Sequence, residues 1–126
     1  MNRITKITLG AATLAMPALL LAAPADAAPK DDGAAPRHAA CGSPAPQNRD
    51  PISAITGGTA GARIRSGSAV GCTARGSIQP SHRLDYYCYT TGNDNYTWTY
   101  LRDVDTRVQG WVRDDLLPNN GSNYLC

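Results

Sequence analysis

Arg63-Ile64-Arg65-Ser66-Gly67, Leu84-Asp85-Tyr86-Tyr87-Cys88-Tyr89, Thr97-Trp98-Thr99-Tyr100-Leu101-Arg102 and Gly110-Trp111-Val112-Arg113-Asp114-Asp115-Leu116-Leu117 are four short runs, each strand-like in composition. Gly, Ser, Asn, Asp and Pro punctuate the chain between them, which predicts a small all-β barrel or sandwich and leaves no room for a helical enzyme core. Parity assigns the faces. Ile64 is inward in the first run, Leu84, Tyr86 and Cys88 share one face of the second, and Asp85, Tyr87 and Tyr89 share the other. Leu101 carries Thr97 and Thr99 to its side, so Trp98 and Tyr100 fall opposite; Val112 is inward and Trp111 points away. Val70, Cys72 and Ala74 alternate until Gly76-Ser77 breaks the run. Asp114 to Pro118 predicts one helical turn stopped by proline, and Tyr124-Leu125 a short closing strand.

The chain has 126 residues and opens as a leader does: Arg3 and Lys6, an uncharged stretch from Ile7 to Ala23, then Ala25-Asp26-Ala27. These are the parts of a secretory signal peptide, with cleavage expected after Ala27. The apolar stretch is shorter than the roughly 20 residues that cross a bilayer, and Pro17 interrupts it. Losing Arg3, Lys6 and Asp26 takes the 12 basic and 10 acidic residues down by two and one, leaving the mature chain nearly neutral. Its arginines alternate with aspartates and form no stripe, so nucleic acid is not an expected partner.

Residues 28–61 are rich in Ala, Pro and Gly, and Pro29, Pro36, Pro44, Pro46 and Pro51 deny them a regular ladder. They read as a disordered arm or linker before a folded domain at 62–126. A domain that short needs staples. Cys41, Cys72, Cys88 and Cys126 all follow the leader, an even number in an oxidising compartment, so two disulfides are expected. Cys41 lies within the arm, and Cys126 is the candidate to pin it.

The ordered set Ile64, Arg65, Ser66, Gly67, Trp98, Leu101, Gly110, Trp111, Val112 and Leu116 resembles the landmarks of bacterial SH3 domains of the SH3b type. The resemblance covers about residues 62–118. It departs from the family where Ser68 replaces the usual Pro and where Cys72 enters the first loop; the cysteine-bearing form resembles secreted SH3-like proteins of actinobacteria. It implies a partly open barrel of about five strands and attachment to peptidoglycan or another wall polymer. An SH3-like barrel would set the first-loop strand beside the second strand, which implies Cys72–Cys88 and leaves Cys41–Cys126.

Few residues could carry chemistry. No Cys-x-x-Cys or spaced His pair suits zinc, and oxidised cysteines offer no thiolate. His82 reads as a solvated turn histidine beside a Ser81 that lacks a nucleophile motif. Asp103 with Asp105, and Asp114 with Asp115, read as solvated charge in connections. Gly57 to Gly61 lacks the Lys-Ser or Lys-Thr of a phosphate loop. What remains is Tyr87, Tyr89, Trp98, Tyr100 and Trp111, expected on an outward groove with Arg65 as ligand-binding residues, and Arg102 or Arg113 near a ligand carboxylate. The expectation is a monomeric, secreted or wall-associated binding module, not an enzyme, with no cofactor or metal and, after cleavage, no membrane. Its ligand would be a cell-wall polymer or a peptide. The alternative is a secreted, disulfide-stapled inhibitor or protein-interaction factor.

Overall fold

The computed structural model describes residues 38–126; the expected leader and residues 28–37 of the expected arm lie outside the described residues. The strands are β1 (Ile55–Thr56), β2 (Arg63–Arg65), β3 (Ala74–Ser77), β4 (Arg83–Thr91), β5 (Thr97–Asp103) and β6 (Gln109–Arg113). They form one antiparallel sheet in the order β1-β4-β5-β6-β2-β3. The described chain is therefore all-β. Five of the six strands follow residue 62, and the sixth comes from the expected arm. A 3-10 turn at Asp114–Leu116 stands where one helical turn is predicted, and a second covers Pro118–Asn120. The predicted closing strand is an isolated parallel bridge, Tyr89 to Leu125.

One face of the sheet carries the main core: Ile64, Ile78, Leu84, Tyr86, Leu101, Val112 and Leu117, joined by Ala62. Tyr86 is anchored there by donating its hydroxyl to the Pro118 carbonyl at 2.7 Å. Burial, reinforced by the charges of Asp114 and Asp50, pushes its pKa well up.

The opposite face carries Trp98, Tyr100 and Trp111, as parity predicts, but these rings are buried and form a second core cluster. Their relative exposures of 2%, 2% and 3% correct the expectation of an open aromatic groove. Tyr100 bridges the cluster, 5.3 Å from the Trp111 ring in an edge-on contact and 5.3 Å from Tyr87. Such contacts add to the apolar area the rings remove from water.

Tyr89 is corrected for a different reason. Tyr86 pairs with Leu101 and Cys88 with Tyr100, so Tyr87 is an extra residue in a β-bulge. A bulge inverts the alternation beyond it. Tyr89 therefore pairs with Thr99 on the core side at 1% exposure, while Cys88 joins the Tyr100 side.

The expected arm, where described, belongs to the fold. Ser68 N–H donates to the Ala39 carbonyl and Gly42 N–H to the Ser66 carbonyl, fastening its start to the β2–β3 loop. Arg49 N–H donates to the Tyr87 carbonyl on β4. Between those anchors residues 42–49 cross the sheet as a strap. Further on, buried Asp50 accepts from the Ser122 hydroxyl at 2.7 Å. Asn48 hydrogen-bonds the Asp85 carboxyl; burial nevertheless raises the pKa of Asp85, and the Asn48 bond opposes the rise.

All four cysteines are bonded, as Cys41–Cys72 and Cys88–Cys126. This corrects the pairing that the resemblance implies. In the observed strand order β3, into which Cys72 leads, is separated from β4 by β2, β6 and β5, roughly 19 Å along the sheet at ~4.8 Å per strand, beyond the ~7 Å reach of a disulfide between Cα atoms. The strap passes the β2–β3 loop and brings Cys41 to Cys72. The C-terminal tail runs beside β4, with Tyr89 N–H donating to the Tyr124 carbonyl and Cys126 N–H to the Tyr89 carbonyl, and so brings Cys126 to Cys88. The outer side of β4 is thus paired with β1 at Arg83 and Leu84 and with the tail at Tyr89.

Candidate ligand cleft

The outer side of β2, β6 and β5 holds a cleft of about 110 Å³ lined by Arg63, Arg65, Val70, Trp98, Arg113 and Leu116. Period-2 geometry explains the clustering. Arg63 and Arg65 flank inward Ile64, and Arg113 follows inward Val112, so all three arginines leave the sheet on the same side. Arg65 pairs with Trp111 and Trp98 with Arg113 across the ladders, which sets these side chains in neighbouring rows.

The three cations differ in their surroundings. Arg65 is half-buried and donates Nη1 to the Cys72 carbonyl at 3.0 Å, tying it to the disulfide-bearing loop. Arg113 donates Nε and Nη2 to the two Asp115 carboxylate oxygens at 2.7 and 2.9 Å, and its guanidinium lies 4.3 Å over the Tyr96 ring. That carboxylate hydrogen bond raises the Arg113 pKa further. Arg63 is exposed, and among the described residues neither it nor Arg65 has a carboxylate within ion-pair distance. Three positive charges thus converge with one negative charge beside them. Val70 and Tyr96, 57% and 50% exposed, are the large apolar side chains left uncovered near this rim.

Of the expected ligand-binding residues, Arg65 and Trp98 line the cleft. Trp98 contributes an edge only, because it is buried and its Nε1 donates to Asp94 at 3.1 Å. Tyr100 and Trp111 lie in the second core, Tyr89 is buried beyond the bulge, and Tyr87 is half-buried against that core. Arg63 was missed as a site residue. Its alternation with Ile64 carried the signal, since two arginines around an inward residue must share the outer face.

His82 is not a solvated turn histidine. Its Nδ1 lies 2.6 Å from Asp103 Oδ2, with 19% of the His82 side chain exposed and none of Asp103. Asp103 Oδ1 also accepts the N–H groups of Asp105 and Thr106, so one buried carboxylate organises the β5–β6 turn and holds the β3–β4 turn to it. Asp114 is likewise buried, accepting the Thr99 hydroxyl at 2.6 Å. Asp103 and Asp114 thus differ from the solvated charge expected in these connections, because each satisfies polar groups that folding takes out of water. Among the described residues no three His, Cys, Asp or Glu side chains gather in a way that could hold a metal ion.

Comparison with protein-family models, curated proteins and solved structures finds no match to the chain. Fold and covalent frame define a small all-β protein with two disulfides, a frame suited to an oxidising, extracellular setting.

Proposed function

We propose that this chain is a secreted SH3b-like binding module that receives an anionic group of cell-wall peptidoglycan, or of a peptide, in the Arg63–Arg65–Arg113 cleft. The observation that carries the reading is the convergence of three guanidiniums on one concave site with a single neighbouring carboxylate. Guanidinium forks bind carboxylates through paired, charge-assisted hydrogen bonds, and the free carboxylates of peptidoglycan stem peptides present that group. Size narrows the ligand. At about 110 Å³ the cleft is well below the ~300 Å³ at which a pocket encloses a small molecule, so it takes a protruding group and not a whole sugar. The aromatic rings serve this module as core and not as a stacking platform. The resemblance to SH3b domains and the leader-like first 27 residues support export and wall attachment.

Co-sedimentation with purified, insoluble peptidoglycan tests the proposal. Wild-type chain is expected in the pellet, with retention falling as salt rises because the pairing is partly exposed. Arg63→Gln combined with Arg113→Gln is expected to stay in the supernatant while keeping the wild-type melting temperature. An unretained wild type, or a double variant retained as well as wild type, contradicts the reading.

Exposed Val70 and Tyr96 favour a second reading, a stapled inhibitor or protein-interaction factor that offers these side chains to a protein partner. Under that reading a tight complex forms with a secreted protein and peptidoglycan pulls down nothing.

A further inference from the structure

The arginine cleft already holds one carboxylate of its own. Arg113 closes β6, and Asp114 and Asp115 open the 3-10 turn that follows it. These two neighbours take different sides. Asp114 is buried and accepts the Thr99 hydroxyl at 2.6 Å, which pins the turn to β5, while the Asp115 side chain stays 43% exposed and turns back to Arg113. The next residue, Leu116, lines the cleft, so the Asp115 carboxylate stands at its edge. Arg113 meets it with one fork, Nε donating to Oδ1 and Nη2 to Oδ2, and the guanidinium rests over the Tyr96 ring. The fork is thus held in the two-bond geometry that recognises a planar carboxylate, with Asp115 as its occupant. Among the described residues no other carboxylate lies within ion-pair distance of Arg63, Arg65 or Arg113. Asp94 acts on Arg113 only through space, and its Oδ1 accepts the Trp98 Nε1–H and the Tyr96 N–H.

We infer that Asp115 is a built-in competitor: it occupies the Arg113 fork until an incoming carboxylate displaces it, and so sets the affinity and selectivity of the cleft. The inference rests on the carboxylate reading of the cleft proposed above. Arg63 and Arg65 have no carboxylate partner of their own and meet the ligand first. Arg113 joins when the ligand offers two charged oxygens in exchange for the two of Asp115. An amide or a hydroxyl gains nothing by that exchange, because it would replace a charge-assisted pair with a neutral contact. Displacement is easy for the right group, since both partners are partly exposed and ion pairs of that kind are weak. The competitor therefore tunes binding without blocking it.

The test titrates the labelled full chain with a soluble stem-peptide fragment whose only free carboxylate is C-terminal, and with the same fragment amidated there. Wild type, Asp115→Asn, Arg113→Gln and the double variant are compared, with the Arg63 and Val70 amide shifts reporting binding. Asp115→Asn is expected to melt as wild type does and to bind the carboxylate fragment roughly fivefold tighter, the factor for the strong end of exposed ion pairs. The gain is expected to vanish with the amidated fragment, and in the Arg113→Gln background, where no fork remains to release. Equal binding by wild type and Asp115→Asn overturns the inference and leaves the carboxylate-binding proposal standing. A gain that persists without Arg113 or with the amidated fragment also overturns it, because Asp115 would then act through its field alone. Saturable shifts in Asp115→Asn only would support the inference, the wild-type fork being closed. No saturable shift in either chain overturns both the inference and the proposal beneath it.

Discussion

Trp111→Ala is expected to lose about 3–5 kcal/mol of folding free energy, the range for truncating a large buried aromatic, and to lower the urea midpoint accordingly. The ring is 3% exposed, meets Tyr100 edge-on and lies over the pairing of β6 with β2. Alanine leaves a cavity beside Tyr100 in the second core. A domain of this size has only about 5–15 kcal/mol to lose, so the variant is marginal at ordinary temperature. Trp111→Phe separates packing from hydrogen bonding. The indole Nε1 is buried without a partner among the described residues, so phenylalanine retains most of the ring area and removes a donor that nothing satisfies. It is expected to cost far less than alanine. Equal costs would show that the ring is not the packing element described. For the same reason a Trp98 and Trp111 double alanine variant reports on folding before it reports on binding.

Cys88→Ser with Cys126→Ser is expected to lower stability by about 4 kcal/mol, the chain-entropy value for a closed loop of this length. The bridge spans 38 residues and joins the middle of the longest strand to the last residue. Without it the tail keeps its two backbone bonds to Tyr89, so the native fold persists while the unfolded chain gains freedom. Differential scanning calorimetry is expected to show one cooperative transition at a lower temperature. An unchanged midpoint, or two separate transitions, would contradict a staple that acts on the whole sheet.

The residues that specify one local conformation made much of this fold legible in the sequence. Alternation around Ile64, Leu101 and Val112 assigned the inward side chains correctly, and Asp114 to Pro118 marked its turn. Two features were not legible. The bulge at Tyr87 has no Gly or Pro to announce it, yet it inverts Cys88 and Tyr89 and with them part of the disulfide geometry. The role of the arm depends on contacts from Ala39 to Ser68 and from Asp50 to Ser122, separated by 29 and 72 residues. A proline-rich composition says only that such a segment forms no ladder of its own; it does not say what the segment lies upon. Packing of Trp98, Tyr100 and Trp111 on one another, with Ala39 and Tyr87 against them, turned an expected aromatic groove into a second core. The cleft itself was half legible, through Arg65 and Trp98 but not through Arg63.

Backbone amide shifts of the isotope-labelled full chain, followed as a soluble peptidoglycan stem-peptide fragment is added, test the cleft most directly. Saturable shifts are expected at Arg63, Arg65, Val70 and Arg113, with the Tyr87, Tyr89 and Tyr100 amides unmoved. Shifts centred on those tyrosines, or none anywhere at saturating fragment, would contradict an arginine-lined binding site on this sheet.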